Sequence, residues 1–191
     1  MRRLLLIRHA STDAVRQTAF PLDEPLDAGG RWAVAGLAGR LGRGEALCSP
    51  AVRACETARA LGLDPAPVAA LRECDFGCWA GRTLAEVNEE HPDDARRWML
   101  DPSARPHGGE SLAELLERVG GWLDAQRGLD GRAIAVTHGG VVKAAVVNAL
   151  GAPAAAFWRV DVRPLAVTEL HGTDGGWTLT RANAAVVEAA A

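Results

Sequence analysis

The sequence predicts an α/β fold, a three-layer αβα sandwich whose central sheet is mostly parallel with an antiparallel edge. Three observations support this prediction. Short apolar runs typical of buried strands, such as 4–7 and 133–137, alternate with segments of helical periodicity. Two strand-like runs near the end are separated by a glycine-rich turn, which favours a hairpin. No linker-like stretch divides the sequence, so residues 1–191 are expected to form a single domain.

The first predicted strand covers 4–7 and is followed by Arg8 and His9. Asp27 is expected to cap the next helix, because its carboxylate can accept a hydrogen bond from the first helical turn. Four apolar residues then recur at helical spacing and predict the buried face of that helix. They are Val34, Leu37, Ala38 and Leu41.

A second strand is predicted at 46–48, and Ser49-Pro50 is expected to open another helix. This placement puts Arg53 in the first turn, near the positive end of that helix. A third strand is predicted over 68–71, because proline residues precede it and the run itself is apolar. It would deliver Arg72 and Glu73 to its carboxyl end.

Residues 74–109 are punctuated by proline and read as irregular or locally helical, so they are expected to form a wall or lid. Ser111 and Glu114 have the spacing of a capping box at the start of a long helix. The apolar residues of that helix fall on one face. They are Leu112, Leu115, Leu116, Val119, Trp122 and Leu123.

The strand at 133–137 leads into His138, and the apolar stretch 141–150 predicts a buried helix ended by glycine and proline. The runs 165–170 and 177–181 predict the hairpin at the sheet edge. The alanine-rich tail after Ala184 is expected to fray.

Composition limits the partners of the protein. The formal net charge is −3, which gives no indication of nucleic-acid binding or of a basic membrane patch. The apolar stretch before Arg8 is too short for a signal sequence, so a cytoplasmic location without membrane contact is expected. The four cysteines match no paired zinc pattern, and no metal or other cofactor is expected. A metal held by Cys74, Cys78 and a histidine is the alternative, and a homodimer stays open.

The carboxyl ends of parallel strands share one edge of a sheet, where ligands of open α/β sheets bind. Several charged or nucleophilic side chains are therefore expected to meet there. Guanidinium groups match phosphate oxygens and stay charged, while an imidazole could attack phosphorus, so this set suits a phosphoryl group. The loop 8–12 adds backbone amides and the Thr12 hydroxyl. The set consists of Arg8, His9, Arg53, Glu73 and His138.

These residues lie in motifs that resemble the histidine phosphatase superfamily, which includes phosphoglycerate mutases and α-ribazole-phosphate phosphatases. The string Leu-Ile-Arg8-His9-Ala-Ser-Thr resembles its RHG signature. Further matches follow in the order of that family. They are Cys48-Ser49-Pro50-x-x-Arg53, Leu71-Arg72-Glu73-x-x-Phe76-Gly77-x-Trp79-x-Gly81, Gly108-Gly109-Glu110-Ser111 and Val136-Thr137-His138-Gly139-Gly140. The resemblance implies a phosphoglycerate mutase-like fold.

The resemblance also implies a phosphomonoester hydrolase that needs no metal. In this scheme His9 is the nucleophile and becomes phosphorylated, while Glu73 protonates the leaving oxygen. A small phosphorylated metabolite, α-ribazole phosphate or a sugar phosphate among others, would be the substrate, with phosphate as a product. The residues implied in binding are Arg8, Thr12, Arg53, His138, Gly139 and Trp79.

Two alternatives stay open at this point. One is a mutase-type phosphotransferase. Mutases of the family that the chain resembles carry a longer insertion between the acid residue and the Gly-Gly-Glu-Ser motif, whereas the stretch between Glu73 and Gly108 is short here. The other is a phosphate-binding module without catalysis. Three departures from the family pattern affect substrate contacts. They are Ala10, where glycine is usual, Val15, where asparagine is common, and Ala80, where an acidic residue is common.

Aromatic side chains supply a final expectation. Phe20, Trp79, Trp98 and Trp158 could line an apolar pocket beside the phosphate site and accept the organic part of the ester, or they could pack in the core.

Overall fold

The computed structural model describes residues 1–186 and contains one six-stranded sheet of order β3-β2-β4-β1-β5-β6. Neighbours among β3, β2, β4 and β1 run parallel, and β5 and β6 add an antiparallel edge next to β1. The predicted mixed sheet is therefore confirmed. The strands are β1 (Arg2–Arg8), β2 (Glu45–Cys48), β3 (Ala66–Pro67), β4 (Gly131–Thr137), β5 (Val167–Thr173) and β6 (Gly176–Ala184).

Helices cover both faces of the sheet, which confirms the three-layer architecture. Within residues 1–186 seven α-helices are present: α1 (Asp13–Gln17), α2 (Ala28–Ala35), α3 (Val52–Ala60), α4 (Leu84–Glu90), α5 (Pro92–Leu100), α6 (Leu112–Arg127) and α7 (Gly139–Ala149). Three short 3₁₀ helices accompany them, at Ala69–Leu71, Gly77–Trp79 and Ala154–Arg159. In the described part of the chain no helix is long and apolar enough to cross a membrane.

The apolar run of β1 is buried on both sides. Leu4 and Leu6 belong to the core under α6 and α7, whereas Leu5 and Ile7 belong to the core under α2 and α3. Successive side chains of a strand point to opposite faces, so a strand covered on both faces must be apolar without alternation. This burial explains why the pattern of β1 is continuous and why β1 lies at the centre of the sheet.

The helix after Asp27 is shorter than its apolar pattern predicted. The Asp27 carboxylate accepts a hydrogen bond from the Gly30 amide at 2.6 Å, which confirms the cap, but α2 ends at Ala35. Gly36 follows directly, and glycine is a poor helix former. The expectation that Ala38 lies on the buried face is wrong, since it is exposed. Val34, Leu37 and Leu41 still pack in one core.

The helix predicted to open at Ser49 begins at Val52, with Ala51 as its cap and no side-chain capping bond. The Ser49 hydroxyl lies 2.7 Å from the His138 ring and accepts a bond from the Ala51 amide at 3.2 Å. The prediction of a serine cap is therefore wrong, because Ser49 lies three residues before the first residue of α3 and its hydroxyl bonds elsewhere. Arg53 still lies in the first turn of the helix.

The strand predicted over 68–71 is also wrong. Only Ala66–Pro67 pairs with β2, and Ala69–Leu71 forms a 3₁₀ turn. Proline has no amide hydrogen and can only take part in a short edge strand. The Thr137 hydroxyl donates to the Leu71 carbonyl at 2.7 Å, so this turn is fixed to the end of β4. The Glu73 loop follows immediately.

The second half of the chain agrees with its predictions. The stretch 74–109 contains α4, α5 and irregular segments. The Ser111–Glu114 capping box is present, with the Ser111 amide 2.7 Å from the Glu114 carboxylate. The helix at 141–150 and the hairpin are present as α7 and β5–β6. The predicted fraying of the tail concerns mainly residues 187–191, which lie outside the described residues.

Candidate active site

His9 and His138 follow the carboxyl ends of the adjacent strands β1 and β4. Arg8 pairs with Thr137 in the strand register, and the His9 amide donates to the Thr137 carbonyl at 2.8 Å. The two imidazole rings consequently lie edge to face, with centroids 5.1 Å apart. The sequence prediction that these histidines share one edge of the sheet is confirmed as a matter of geometry.

His9 is held as a neutral imidazole with one unprotonated nitrogen. Its Nδ1 lies 2.7 Å from the Ala10 carbonyl oxygen, and because a carbonyl can only accept, Nδ1 carries the proton. Nε2 is then unprotonated and accepts a bond from Arg53 Nε at 3.3 Å. Burial, reinforced by the Arg53 charge, lowers the pKa of His9 to about 3. The Nε2 lone pair is therefore present at neutral pH.

His138 is fully buried and precedes the first residue of α7. Its Nε2 lies 2.7 Å from the Ser49 hydroxyl, while Nδ1 is buried without a hydrogen-bond partner among the described residues. Burial, followed by the neighbouring His9 and Arg53, lowers the pKa of His138 well below its usual value. Its position at the helix N-terminus adds a favourable field for an anion.

Two guanidinium groups lie against the imidazoles. Arg53 is 3% exposed and donates from Nη1 to the Leu22 carbonyl at 2.7 Å. Arg8 donates from Nη1 to the Val162 carbonyl at 2.6 Å, and its buried Nε has no partner in residues 1–186. Each guanidinium is thus anchored by one carbonyl and keeps further donors for a ligand. Burial lowers the pKa of Arg8, but an arginine stays charged at physiological pH.

Glu73 forms part of the opposite wall. Its Oε1 accepts from the Cys74 amide at 3.0 Å, and its Oε2 accepts from the Gly140 amide at 3.2 Å. The second bond joins the Glu73 loop to the start of α7, next to Gly139. The structure therefore brings together the predicted His9, His138, Arg8, Arg53 and Glu73.

Gly77 and Gly109 allow the loop after Glu73 and the loop before α6 to pass close to each other. A β-carbon on Gly77 would lie 2.0 Å from the His107 carbonyl oxygen, and one on Gly109 would lie 2.1 Å from the Asp75 carbonyl oxygen. Any larger residue would push these backbones apart. This contact gives a structural reason for the glycines in the two motifs, and it sets the start of α6 against the Glu73 loop.

Thr12 and Trp79 are placed differently from the expectation. The Thr12 hydroxyl accepts from the Val15 amide at 3.3 Å as the cap of α1 and donates to Glu24 at 3.1 Å, so it does not face the cavity. Trp79 is 2% exposed and packs behind Phe20. Gly139, by contrast, lies on the cavity wall. Ala10 avoids a positive φ, as its side chain requires.

A cavity of about 530 Å³ opens from Arg8, His9 and Glu73, a volume typical of small-molecule sites. Of the four aromatic residues predicted to line it, three do so and Trp79 does not. Phe76 and Phe157 complete the aromatic wall. The larger apolar and aromatic lining residues include Val15, Phe20, Phe76, Leu84, Trp98, Met99, Leu112, Leu115, Phe157 and Trp158.

Two charged residues of the cavity were missed by the sequence analysis. Glu24 lies 3.8 Å from Arg53 and has a buried carboxylate oxygen without a partner in the described part of the chain. Lys143 lies in α7, which was predicted as an apolar helix. A signal for Lys143 was present, since it is the only lysine in 191 residues. No comparable pattern marks Glu24.

The alternative metal site has little support in the geometry. The Cys74 thiol donates to the Glu110 carbonyl at 3.2 Å, and burial raises the pKa of Cys74 well above its usual value, so it stays a thiol. Cys78 is exposed. Within residues 1–186 no group of three histidine, cysteine or acidic side chains is arranged to hold a metal ion. The site thus combines two neutral imidazoles, two fixed cations and one carboxylate.

Comparisons with known proteins agree with this arrangement. The model of the histidine phosphatase superfamily (branch 1) matches residues 4–185. A bifunctional protein of Mycobacterium tuberculosis is 34% identical over 95% of this chain, which spans only 53% of that relative. Phosphoserine phosphatase 1 of Hydrogenobacter thermophilus is 32% identical, with 90% of this chain and 87% of the relative covered.

The fold comparison points the same way. A mycobacterial glucosyl-3-phosphoglycerate phosphatase, solved as a complex with VO₃, superposes with a TM-score of 0.85 at 28% identity, covering 97% of this chain and 100% of that chain. The family match extends over nearly the whole described chain and includes every motif discussed above. On this basis, the chain belongs to the histidine phosphatase superfamily, branch 1.

Proposed function

We propose that the protein is a phosphomonoester hydrolase that works through a phosphohistidine and needs no metal. The observation that carries this proposal is the state of His9, whose unprotonated Nε2 lies 3.3 Å from Arg53 Nε. A nucleophile next to a guanidinium can approach an anionic phosphoryl group, because the cation offsets the repulsion between them. The names of the relatives, phosphatases among them, support the same reaction class.

In the first step the His9 Nε2 attacks phosphorus. The new N–P bond forms as the bond from phosphorus to the leaving oxygen breaks, and Glu73 transfers a proton to that oxygen. Arg53 releases Nε2 when its donors turn to the phosphoryl oxygens. Arg8, His138 and the Gly139 end of α7 supply the remaining donors and positive field.

In the second step water attacks the phosphohistidine. Glu73, now ionised, takes a proton from the water as the N–P bond breaks, and inorganic phosphate and neutral His9 result. Thr12 acts in this scheme as a positioning residue for the loop after His9, since its hydroxyl caps α1 by accepting from the Val15 amide. Trp79 likewise supports Phe20 from behind.

The substrate is inferred to be a small phosphorylated metabolite. The relatives are named for phosphoserine and glucosyl-3-phosphoglycerate, and an α-ribazole or sugar phosphate stays a prediction from the sequence. Hydrolysis is favoured over phosphotransfer because the stretch between Glu73 and Gly108 is short. We also infer that residues 1–191 form one domain, while the cytoplasmic location and the homodimer stay sequence predictions.

The proposal is tested with 4-nitrophenyl phosphate and the His9→Ala variant. We expect wild-type protein to release phosphate and His9→Ala to lose at least about two to three orders of magnitude in kcat. Vanadate binding serves as the control that the site still assembles. Vanadate binding without turnover above His9→Ala would instead establish a binding module, and transfer of phosphate to an added alcohol in preference to water would establish a phosphotransferase.

A further inference from the structure

Lys143 is the only lysine of the chain, and α7 directs it into the cavity. It is half-buried, and its Nζ lies 5.4 Å from the centre of the Phe157 ring. Among residues 1–186 no carboxylate lies within 4 Å of this ammonium, and no hydrogen bond from it is present. Glu73 and Asp161 attract it only from a longer distance, while Arg8 repels it.

An ammonium in a largely apolar wall is costly unless a ligand pairs with it. The aromatic ring of Phe157 offsets part of this cost, but a ring has no hydrogen-bond acceptor as strong as an anion. All other residues of the lysine and arginine class in the chain are arginines. The one compact, single-charge donor therefore lies where a ligand would be bound.

The position of Lys143 relates it to the phosphate end of the cavity. Gly139 and Lys143 are four residues apart in α7 and share one face of the helix. A β-carbon on Gly139 would lie 3.5 Å from Arg8 Nε, which places Gly139 at the guanidinium. The backbone of Lys143 thus lies about one helical turn after Gly139, and its ammonium lies beside Phe157 on the aromatic wall.

We propose that Lys143 binds a second anionic group of the substrate, a carboxylate, whose carbon body packs against Phe157, Trp158 and Trp98. The proposal rests on the proposed function, in which the His9 end binds the phosphate. One ammonium without other nearby donors matches a single negative charge, whereas a second phosphate would need more donors. The preferred substrates are then phosphomonoesters that carry a carboxylate at the far end.

The test compares two aryl phosphates of nearly the same shape, 4-carboxyphenyl phosphate and 4-carbamoylphenyl phosphate. The measured quantity is kcat/KM for 4-carboxyphenyl phosphate divided by kcat/KM for 4-carbamoylphenyl phosphate. This ratio is determined in wild-type protein, in Lys143→Met and in Lys143→Arg. Differences between the two leaving groups cancel when this ratio is compared between variants. Arg127→Met removes an exposed positive charge at the end of α6 and is the matched control.

We expect Lys143→Met to lower the ratio by about tenfold or more, the effect of one charge-assisted hydrogen bond. Lys143→Arg should restore part of the ratio, and Arg127→Met should leave it unchanged. An equal loss on both substrates in Lys143→Met would overturn the proposal, since Lys143 would then act on the phosphate. Absence of hydrolysis of either compound by wild-type protein would instead reject the proposed function.

A second measurement does not depend on turnover. Since Lys143 is the only lysine, its acetylation by a water-soluble acetylating reagent can be followed by mass spectrometry separately from the terminal amine. In His9→Ala, where neither compound is hydrolysed, 4-carboxyphenyl phosphate should slow this acetylation more than 4-carbamoylphenyl phosphate does. Equal protection by the two compounds, or none by either, would contradict a carboxylate contact.

Discussion

Gly140 and Glu73 are in contact through more than their hydrogen bond. The Gly140 amide lies 3.2 Å from Glu73 Oε2, and a β-carbon on Gly140 would lie 2.3 Å from Glu73 Oε1. The first turn of α7 therefore acts as a template for the carboxylate of the proposed acid. Because a β-carbon on Gly140 would overlap the carboxylate, the position of Glu73 depends on the absence of a side chain at Gly140.

We expect Gly140→Ala to displace the Glu73 carboxylate. The rate on alkyl phosphates should fall by roughly one to two orders of magnitude, the size of effect expected when a catalytic group is shifted by about 1 Å. The matched control is Gly121→Ala in α6, where a β-carbon meets nothing within 4 Å. This control should retain wild-type activity. Unchanged kcat in Gly140→Ala would show that the observed place of Glu73 is not the one that catalysis uses.

The hydrogen bond between Ser49 and His138 leads to a second prediction. Ser49→Ala leaves the buried Nε2 of His138 without its partner, a loss of about 1–3 kcal/mol in the free energy of unfolding. We also expect a decrease in kcat of roughly tenfold, because the ring loses its anchor at the phosphoryl site. The measurements are urea denaturation and steady-state rates. Ser103→Ala is the control, as Ser103 is exposed and, within residues 1–186, its hydrogen bonds are made to Asp101.

The central part of the site could be predicted because it follows from short local patterns. An apolar run ending at His9 and another ending at His138 are sufficient to predict two strand ends, and adjacent parallel strands bring their ends together. To place Glu73 at the same edge, it was enough to predict roughly where the segment 68–71 ends, although this segment is a 3₁₀ turn and not the predicted strand. An error in an element's type did not displace the residue that follows it.

The cavity wall could not be predicted in the same way. It draws on α1, α5, the start of α6, α7 and the 3₁₀ helix at Ala154–Arg159, which are far apart in the sequence. An aromatic side chain gives the same sequence pattern on a cavity wall and in the packing behind it, which explains why the sequence left both places open for Trp79. The Thr12 hydroxyl illustrates a related limit, because a capping role competes with ligand binding and only the contacts distinguish the two.

The role of Glu73 as proton donor predicts a dependence on the leaving group. Glu73→Gln keeps an oxygen for one of the two amides, Cys74 or Gly140, puts an NH2 group in the place of the other acceptor, and has no transferable carboxylic proton. We expect kcat on alkyl phosphates to fall by about two to three orders of magnitude and kcat on 4-nitrophenyl phosphate to fall much less, since nitrophenolate leaves without protonation. Glu117→Gln, an exposed residue of α6, is the control. An equal loss on both substrates would remove Glu73 from the acid role.

Chelation distinguishes the proposed mechanism from metal-assisted hydrolysis. Arg8, Arg53 and the N-terminus of α7 provide the positive charge that a metal ion supplies in other phosphatases. Activity should therefore persist, within a factor of about two, after dialysis against EDTA, and neither Mg²⁺ nor Zn²⁺ should raise it. Loss of activity that only added metal restores would contradict the mechanism. Metal analysis of the purified protein completes this measurement.

The neutral state of the buried histidines predicts how stability depends on pH. The pKa of His9 is about 3 in the folded protein, below the value near 6.5 of an unfolded chain, and the pKa of His138 is lowered in the same direction. Between these values the unfolded chain binds more protons than the folded one. Stability is then fully present above about pH 6.5 and decreases as the pH falls towards 3.

For His9 alone the free energy of unfolding should decrease by about 2 kcal/mol between pH 7.5 and pH 5. Urea denaturation in phosphate-free buffer measures this, since a bound anion would stabilise the folded state. His9→Asn should show a smaller decrease over the same interval, because one buried imidazole no longer titrates on unfolding. His91→Asn, at an exposed position between α4 and α5, should keep the wild-type slope. A His9→Asn slope equal to that of wild type would mean that the His9 ring takes up no proton on unfolding in this range.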